Sequence, residues 1–255
     1  MSQYPSSPPP GIPVREIIAR CDELFNAEKS AELGEFLCRW RRKAREMKDL
    51  KGELSILNEL IGRYRMAKDE EQGLAAVRDA QALLELLPET AETLSAGTIL
   101  LNCATALHSF GRTPEALRLY DRAGHIYKKE LPPDDERMAG LYNNMAAALC
   151  ADGQFPRAEY AYLKALEILR TGKNAPDSAV TCLNLAQLYR SWNNDEMLIS
   201  GMLACAWEYL DLPGIRKEGY YAHTCRKCAP GFSALGRQDI ADELNKRADE
   251  YYAGH

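Results

Sequence analysis

A chain of 255 residues can bury a substantial core as one domain, two domains or an elongated array, and 46% hydrophobic with 27% charged residues excludes wholesale disorder. A formal charge of -5 supplies no basic surface overall, which argues against nucleic acid as the main partner, because neutralising phosphates requires one. No stretch approaches the roughly 18 apolar residues of a membrane span, and the eight cysteines fall inside helical apolar patterns, so buried thiols in a reducing, cytoplasmic compartment are expected.

The chain opens with MSQYPSSPPPGIP, which has neither a basic start nor an apolar run, so no signal peptide is expected. Residues 1–13 read as a disordered Pro/Ser-rich tail. Helical periodicity begins at Val14 with Ile17, Ile18, Cys21, Leu24 and Phe25, and resumes with Leu33, Phe36, Leu37, Trp40, Ala44 and Met47. Residues 14–51 are therefore expected to form an N-terminal helical cap pair. Its second helix carries Arg39, Arg41, Arg42, Lys43, Arg45, Lys48 and Lys51; with Glu46 and Asp49 breaking the run, a solvated face is the expectation, ahead of a nucleic-acid or lipid contact.

From residue 52 the chain reads as helical hairpins at approximately 52–89, 90–133, 134–175, 176–213 and 214–255. The clearest spans Leu141 to Leu169: a small residue, Ala146, precedes the turn Gly153 by seven, and Ala158, Tyr162 and Ala165 follow it by five, nine and twelve. Ala104, Gly111, Ala116, Tyr120 and Ala123 repeat the register, as do Ala229, Gly236, Ala241, Asn245 and Ala248. A copy with Ala186, Asn193, Leu198, Met202 and Cys205 puts Asn193 at the turn, where asparagine tolerates a left-handed cap. A degenerate copy has Ile61, Lys68, Gly73, Val77 and Ala80. The turn positions 111, 153, 193 and 236 are separated by 42, 40 and 43 residues. Thr113 before Pro114 and Glu115, and Asn194 before Asp195 and Glu196, read as helix N-caps. Small residues at the crossings allow close helix approach, and stacked hairpins bury what one hairpin cannot.

This five-slot pattern resembles the tetratricopeptide repeat family across residues 52–252, in a period near 42 that is similar to the long repeats of kinesin light chains. The resemblance implies an all-α, right-handed superhelix of about five hairpins whose first helices line a concave groove for peptides or protein segments. In several relatives an asparagine on the first helix bonds the ligand backbone. Asn102, Asn144 and Asn184 each lie two positions before the small residue of their copy; Lys227 takes that slot before Ala229, and Asn58 falls one position out of step. His108, Asn143, Gln187, Arg190, His223 and Arg226 share these helix faces and give the expected groove a polar, locally basic character, so an extended, somewhat acidic protein or peptide partner is expected.

Catalytic, metal and cofactor roles are not expected. His223 is two residues from Cys225 and points elsewhere, while Cys225 and Cys228 fill apolar slots of the repeat. Asp121 and His125 form an i,i+4 pair with no nucleophile nearby. Pro230 and Gly231 should kink or break the last first-helix. The main expectation is a non-catalytic interaction scaffold. Two other readings are a peptide-sensing regulator of a partner and a module that assembles with itself through the array termini, where Tyr251 and Tyr252 lie.

Overall fold

The computed structural model describes residues 11–26, 29–215 and 218–254, so the expected tail lies largely outside the described residues. The described residues form twelve α-helices and no strand. They divide into two compact units, Met1–Ile126 and Tyr127–His255.

The first unit contains α1 (Val14–Asn26), α2 (Ser30–Glu46), α3 (Leu50–Met66), α4 (Glu70–Leu86), α5 (Leu94–Ser109) and most of α6 (Thr113–Glu130). Each of α1 to α4 packs on the next, and α5 packs on both α3 and α4. Ile17, Leu24, Leu37, Ala44, Ile56 and Leu60 form one buried cluster at this end. Asp49 caps α3 through the Gly52 amide, Asp69 caps α4 through Gln72, and Thr93 caps α5 through Ala96. Gly73 leaves room for the Phe110 ring, whose edge occupies the place a Cβ would take.

Arg41 and Arg45 depart from the solvated face expected of the basic helix. Glu53, 4% exposed at the start of α3, accepts from Arg41 Nε at 3.2 Å and from Arg45 Nε at 2.5 Å, and Arg41 Nη2 also pairs with Asp79 of α4. These two cations tie three helices together, while Arg39, Arg42 and Lys43 remain exposed.

The second unit contains α7 (Glu136–Ala151), α8 (Phe155–Thr171), α9 (Ala175–Trp192), α10 (Glu196–Leu210), α11 (Gly219–Ala234) and α12 (Gln238–Ala253). The hairpins are α7 with α8, α9 with α10 and α11 with α12, and α9 also packs on α7, α8 and α11. Alanines at the crossing slots are buried throughout, from Ala146, Ala158 and Ala165 to Ala229, Ala241 and Ala248, so helix backbones approach closely there. Arg247 on α12 donates to Tyr221 Oη at 3.0 Å and to the Leu210 carbonyl at 3.2 Å, tying α10, α11 and α12.

The turns follow the expected pattern with one shift. Lys68, Gly111, Gly153 and Gly236 all have positive φ, but in the fourth copy the left-handed residue is Asn194 (φ 52°), while Asn193 has φ −132°. The physical reason is that α9, at 18 residues, is longer than α5 and α7, each 16, and carries the turn one position onward. The intervals become 43 (68 to 111), 42 (111 to 153), 41 (153 to 194) and 42 (194 to 236). For the same reason Asp195, not Asn194, caps α10, accepting from the Met197 and Leu198 amides at 3.0 and 3.1 Å. Thr113 likewise stands inside α6: the carbonyl of Arg112 accepts from Ala116, and the Thr113 hydroxyl meets His108 instead.

Pro230 does not break α11, which runs on to Ala234. The proline ring is exposed, so the carbonyl of Arg226 that loses its helical donor lies on the solvent side. Gly231 next to it is buried, and a Cβ there would come within 2.7 Å of Leu183 Cδ2 and 2.9 Å of Gln187 Nε2; the missing side chain lets α11 sit against α9.

Candidate functional site

In the second unit the polar positions of α7 and α9 divide into two kinds. Asn143 is a packing residue: its Nδ2 donates to Thr181 Oγ1 at 2.9 Å, joining α7 to α9, and its buried Oδ1 has no partner among the described residues. Asn144 and Asn184 are half-buried at equivalent slots of consecutive first helices, and neither makes a side-chain hydrogen bond among the described residues. Gln187 is exposed on the same helix as Asn184.

The cations expected to make this face basic are largely neutralised. Arg190 donates to Glu196 Oε1 and Asn194 Oδ1, each at 2.6 Å. Arg226 pairs with Asp249 at 2.6 Å and lies 4.6 Å from the centre of the Tyr252 ring. Lys227 is exposed and forms no ion pair among the described residues. The partners of Arg190 and Arg226 sit on α10 and α12, too far along the chain for helical periodicity on their own helices to reveal.

Cys225 and Cys228 are buried at 0% and 1% exposure, whereas His223 on the same helix is exposed. Burial pushes the Cys228 thiol up to about 12, far from a reactive thiolate. Among the described residues no group of three or more His, Cys, Asp or Glu side chains could hold a metal ion, and no helix is long and apolar enough to cross a membrane.

In the first unit Asn102 is engaged internally. Its Nδ2 donates to Asn58 Oδ1 at 2.8 Å, and Asn58 Nδ2 donates in turn to Glu59 Oε1 at 3.2 Å. Asn58, one position out of step in the sequence, is thus the hydrogen-bond partner of Asn102. His108, half-buried, faces Thr113 Oγ1 at 3.3 Å, and burial lowers its pKa from the usual histidine value.

The amide chain ends at a residue that the sequence left unnoticed. Glu59 lines a cavity of about 640 Å³ between α1, α2 and α3, with Asp22, Phe25, Leu37 and Met66 among its walls. Burial raises the Glu59 pKa, the neighbouring Asp22 charge adds to this, and the Asn58 hydrogen bond opposes it. The signal was present in the register: Glu59 precedes the small-slot residue Ile61 by two, the same offset as Asn102, Asn144 and Asn184 in their copies.

The tetratricopeptide repeat family model matches residues 137–197, which include α8, α9 and all but the first residue of α7. No curated protein matches the sequence. Among solved structures, the putative kinesin light chain nearly identical TPR-like repeats of Podosopora anserina are 19% identical, covering 78% of this chain and 94% of that one with a TM-score of 0.53. The apo form of RapI is 12% identical over 94% of this chain and 83% of its own, with a TM-score of 0.68. A Rap protein complexed with Competence and Sporulation Factor is 13% identical over 92% and 73%, with a TM-score of 0.54. Residues 137–197 thus match tetratricopeptide repeats, and the described residues have an all-α, solenoid-like fold similar in format to kinesin light chain repeats.

Proposed function

We propose that this chain is a non-catalytic interaction scaffold that binds an extended polypeptide segment along the first helices of its repeats, with Asn144 and Asn184 bonding the segment's backbone. The observation that carries the reading is the contrast within one helix pair. Asn143 spends its amide hydrogens on Thr181, whereas Asn144 and Asn184, half-buried at the same slot of α7 and α9, have no side-chain partner among the described residues. A half-covered amide leaves a donor and an acceptor to satisfy, and a peptide unit offers both whatever its side chain. The structural relative complexed with Competence and Sporulation Factor lends support by analogy of fold.

The same contrast alters the expected ligand. With Arg190 and Arg226 already paired, Lys227 is the remaining cation of the set for an acidic group, so recognition rests on the ligand's backbone more than on its charge. Asn102, bonded to Asn58, becomes a supporting residue. The test is selection of an extended peptide from a random library, followed by titration into the Asn144→Ala, Asn184→Ala double variant. Two hydrogen bonds at about 0.5–1.5 kcal/mol each predict affinity lower by about 5- to 150-fold with an unchanged melting temperature. Equal binding by parent and variant removes the reading. Asn102→Ala should act differently, lowering stability more than affinity.

A further inference from the structure

We propose that the cavity between α1, α2 and α3 binds a partner peptide presenting a lysine beside a bulky apolar side chain, with Glu59 as the counter-ion of the lysine ammonium. The site is in the first unit and does not depend on the amides of α7 and α9.

The walls indicate an apolar body. Leu33, Leu37 and Met66 line the cavity, and Phe25 and Met66 are left 55% and 61% exposed, large side chains that a ligand could cover. The volume, about 640 Å³, suits several side chains. The charge indicates a cation. Glu59 and Asp22 both line the space, and Glu59 forms no ion pair among the described residues. The one lining guanidinium, Arg63, lies over the Tyr64 ring at 5.7 Å. Asn102 donates to Asn58 and Asn58 to Glu59, so two side-chain amides form a donor chain that ends on the carboxylate. Hydrogen bonds chained in this way favour a negative charge at the end of the chain, while burial and Asp22 oppose it. A bound cation relieves that opposition.

The geometry favours lysine over arginine. Glu59 Oε1 already accepts from Asn58, which spoils the two-oxygen face that a guanidinium fork matches, whereas a point-like ammonium needs only Oε2. The lysine stem is itself apolar and suits the walls.

The test uses the full chain and an acetylated, amidated nonapeptide with a central Leu-Lys-Phe, titrated by calorimetry beside the same peptide with norleucine for lysine. Saturable binding is expected for the lysine peptide, at least about tenfold tighter than for the norleucine one. Glu59→Gln should weaken the lysine peptide by a similar factor and leave the norleucine peptide unchanged. Gly62 lines the cavity and a Cβ there would meet nothing within 4 Å, so Gly62→Leu should block the peptide without lowering the melting temperature. The proposal is overturned by no saturable binding, by equal affinity for the two peptides, or by full binding in a folded Gly62→Leu protein. Because Asn144 and Asn184 are untouched in these variants, failure here leaves the backbone-binding reading standing.

Discussion

Replacing Glu53 tests whether the basic helix is a solvated face or a brace. Glu53 is 4% exposed and receives Arg41 and Arg45, whose side chains are 19% and 54% exposed. Removing one partner of a buried pair costs about 3–5 kcal/mol, because the other charge is stranded. Arg45 can rehydrate and Arg41 keeps Asp79, so the cost falls to the bottom of that range or just under it, and Glu53→Ala should cost about 2–3 kcal/mol. A urea titration followed by Trp40, in α2 within 4.9 Å of Lys43 Nζ, reads the first unit alone once Trp192 and Trp207 are changed to Phe. The midpoint should fall with little change in slope. Arg41→Met combined with Glu53→Ala should cost less than the sum of the two single changes, since the charge left stranded is then gone. A loss below about 0.5 kcal/mol, the scale of an exposed ion pair, would refute the brace.

Three further outcomes follow from particular residues. Gly153 (φ 74°) and Gly140 in α7 both leave open space for a Cβ, so alanine at each isolates backbone preference: Gly153→Ala should destabilise by about 1–2 kcal/mol and Gly140→Ala stabilise by about 1 kcal/mol in chemical denaturation. His108 has its pKa lowered by burial, so the unfolded chain takes up the proton first as pH falls; stability is full above the unfolded value of about 6.5 and declines below it. Melting temperatures of parent and His108→Asn between pH 7.5 and 5 should diverge in that sense, and parallel curves contradict it. In a timed alkylation with mass readout Cys38, the exposed thiol, should react first, while buried Cys103 and Cys228, both pushed up to about 12, should react only on unfolding.

What the sequence revealed and what it concealed divide along the range of the interactions. The slots at Ala146, Gly153, Ala158, Tyr162 and Ala165 were legible because they repeat a packing requirement that each hairpin meets through its own residues and nearest neighbours. The shift from Asn193 to Asn194 was hidden because both residues are asparagine and helix length, set by packing, decides between them. The neutralisation of Arg226 by Asp249 and the bracing role of Arg41 depend on partners 23 and 38 residues away, which no periodicity reports. Asn102 and Asn144 look alike in the register, yet one is bonded to a neighbouring first helix and the other is not. Glu59 is hidden in the register because it places a carboxylate where the other copies carry amides.

Gly231 carries one more consequence. Its hydrogen stands where any other residue would place a carbon against Leu183 and Gln187, so the last hairpin meets α9 through an omission. A contact made by subtraction has no conservative substitute. Every enlargement at 231 must be answered by movement of α11 or by trimming of Leu183, and a library varied jointly at those two positions would measure how far the terminal hairpin can slide before the array comes apart.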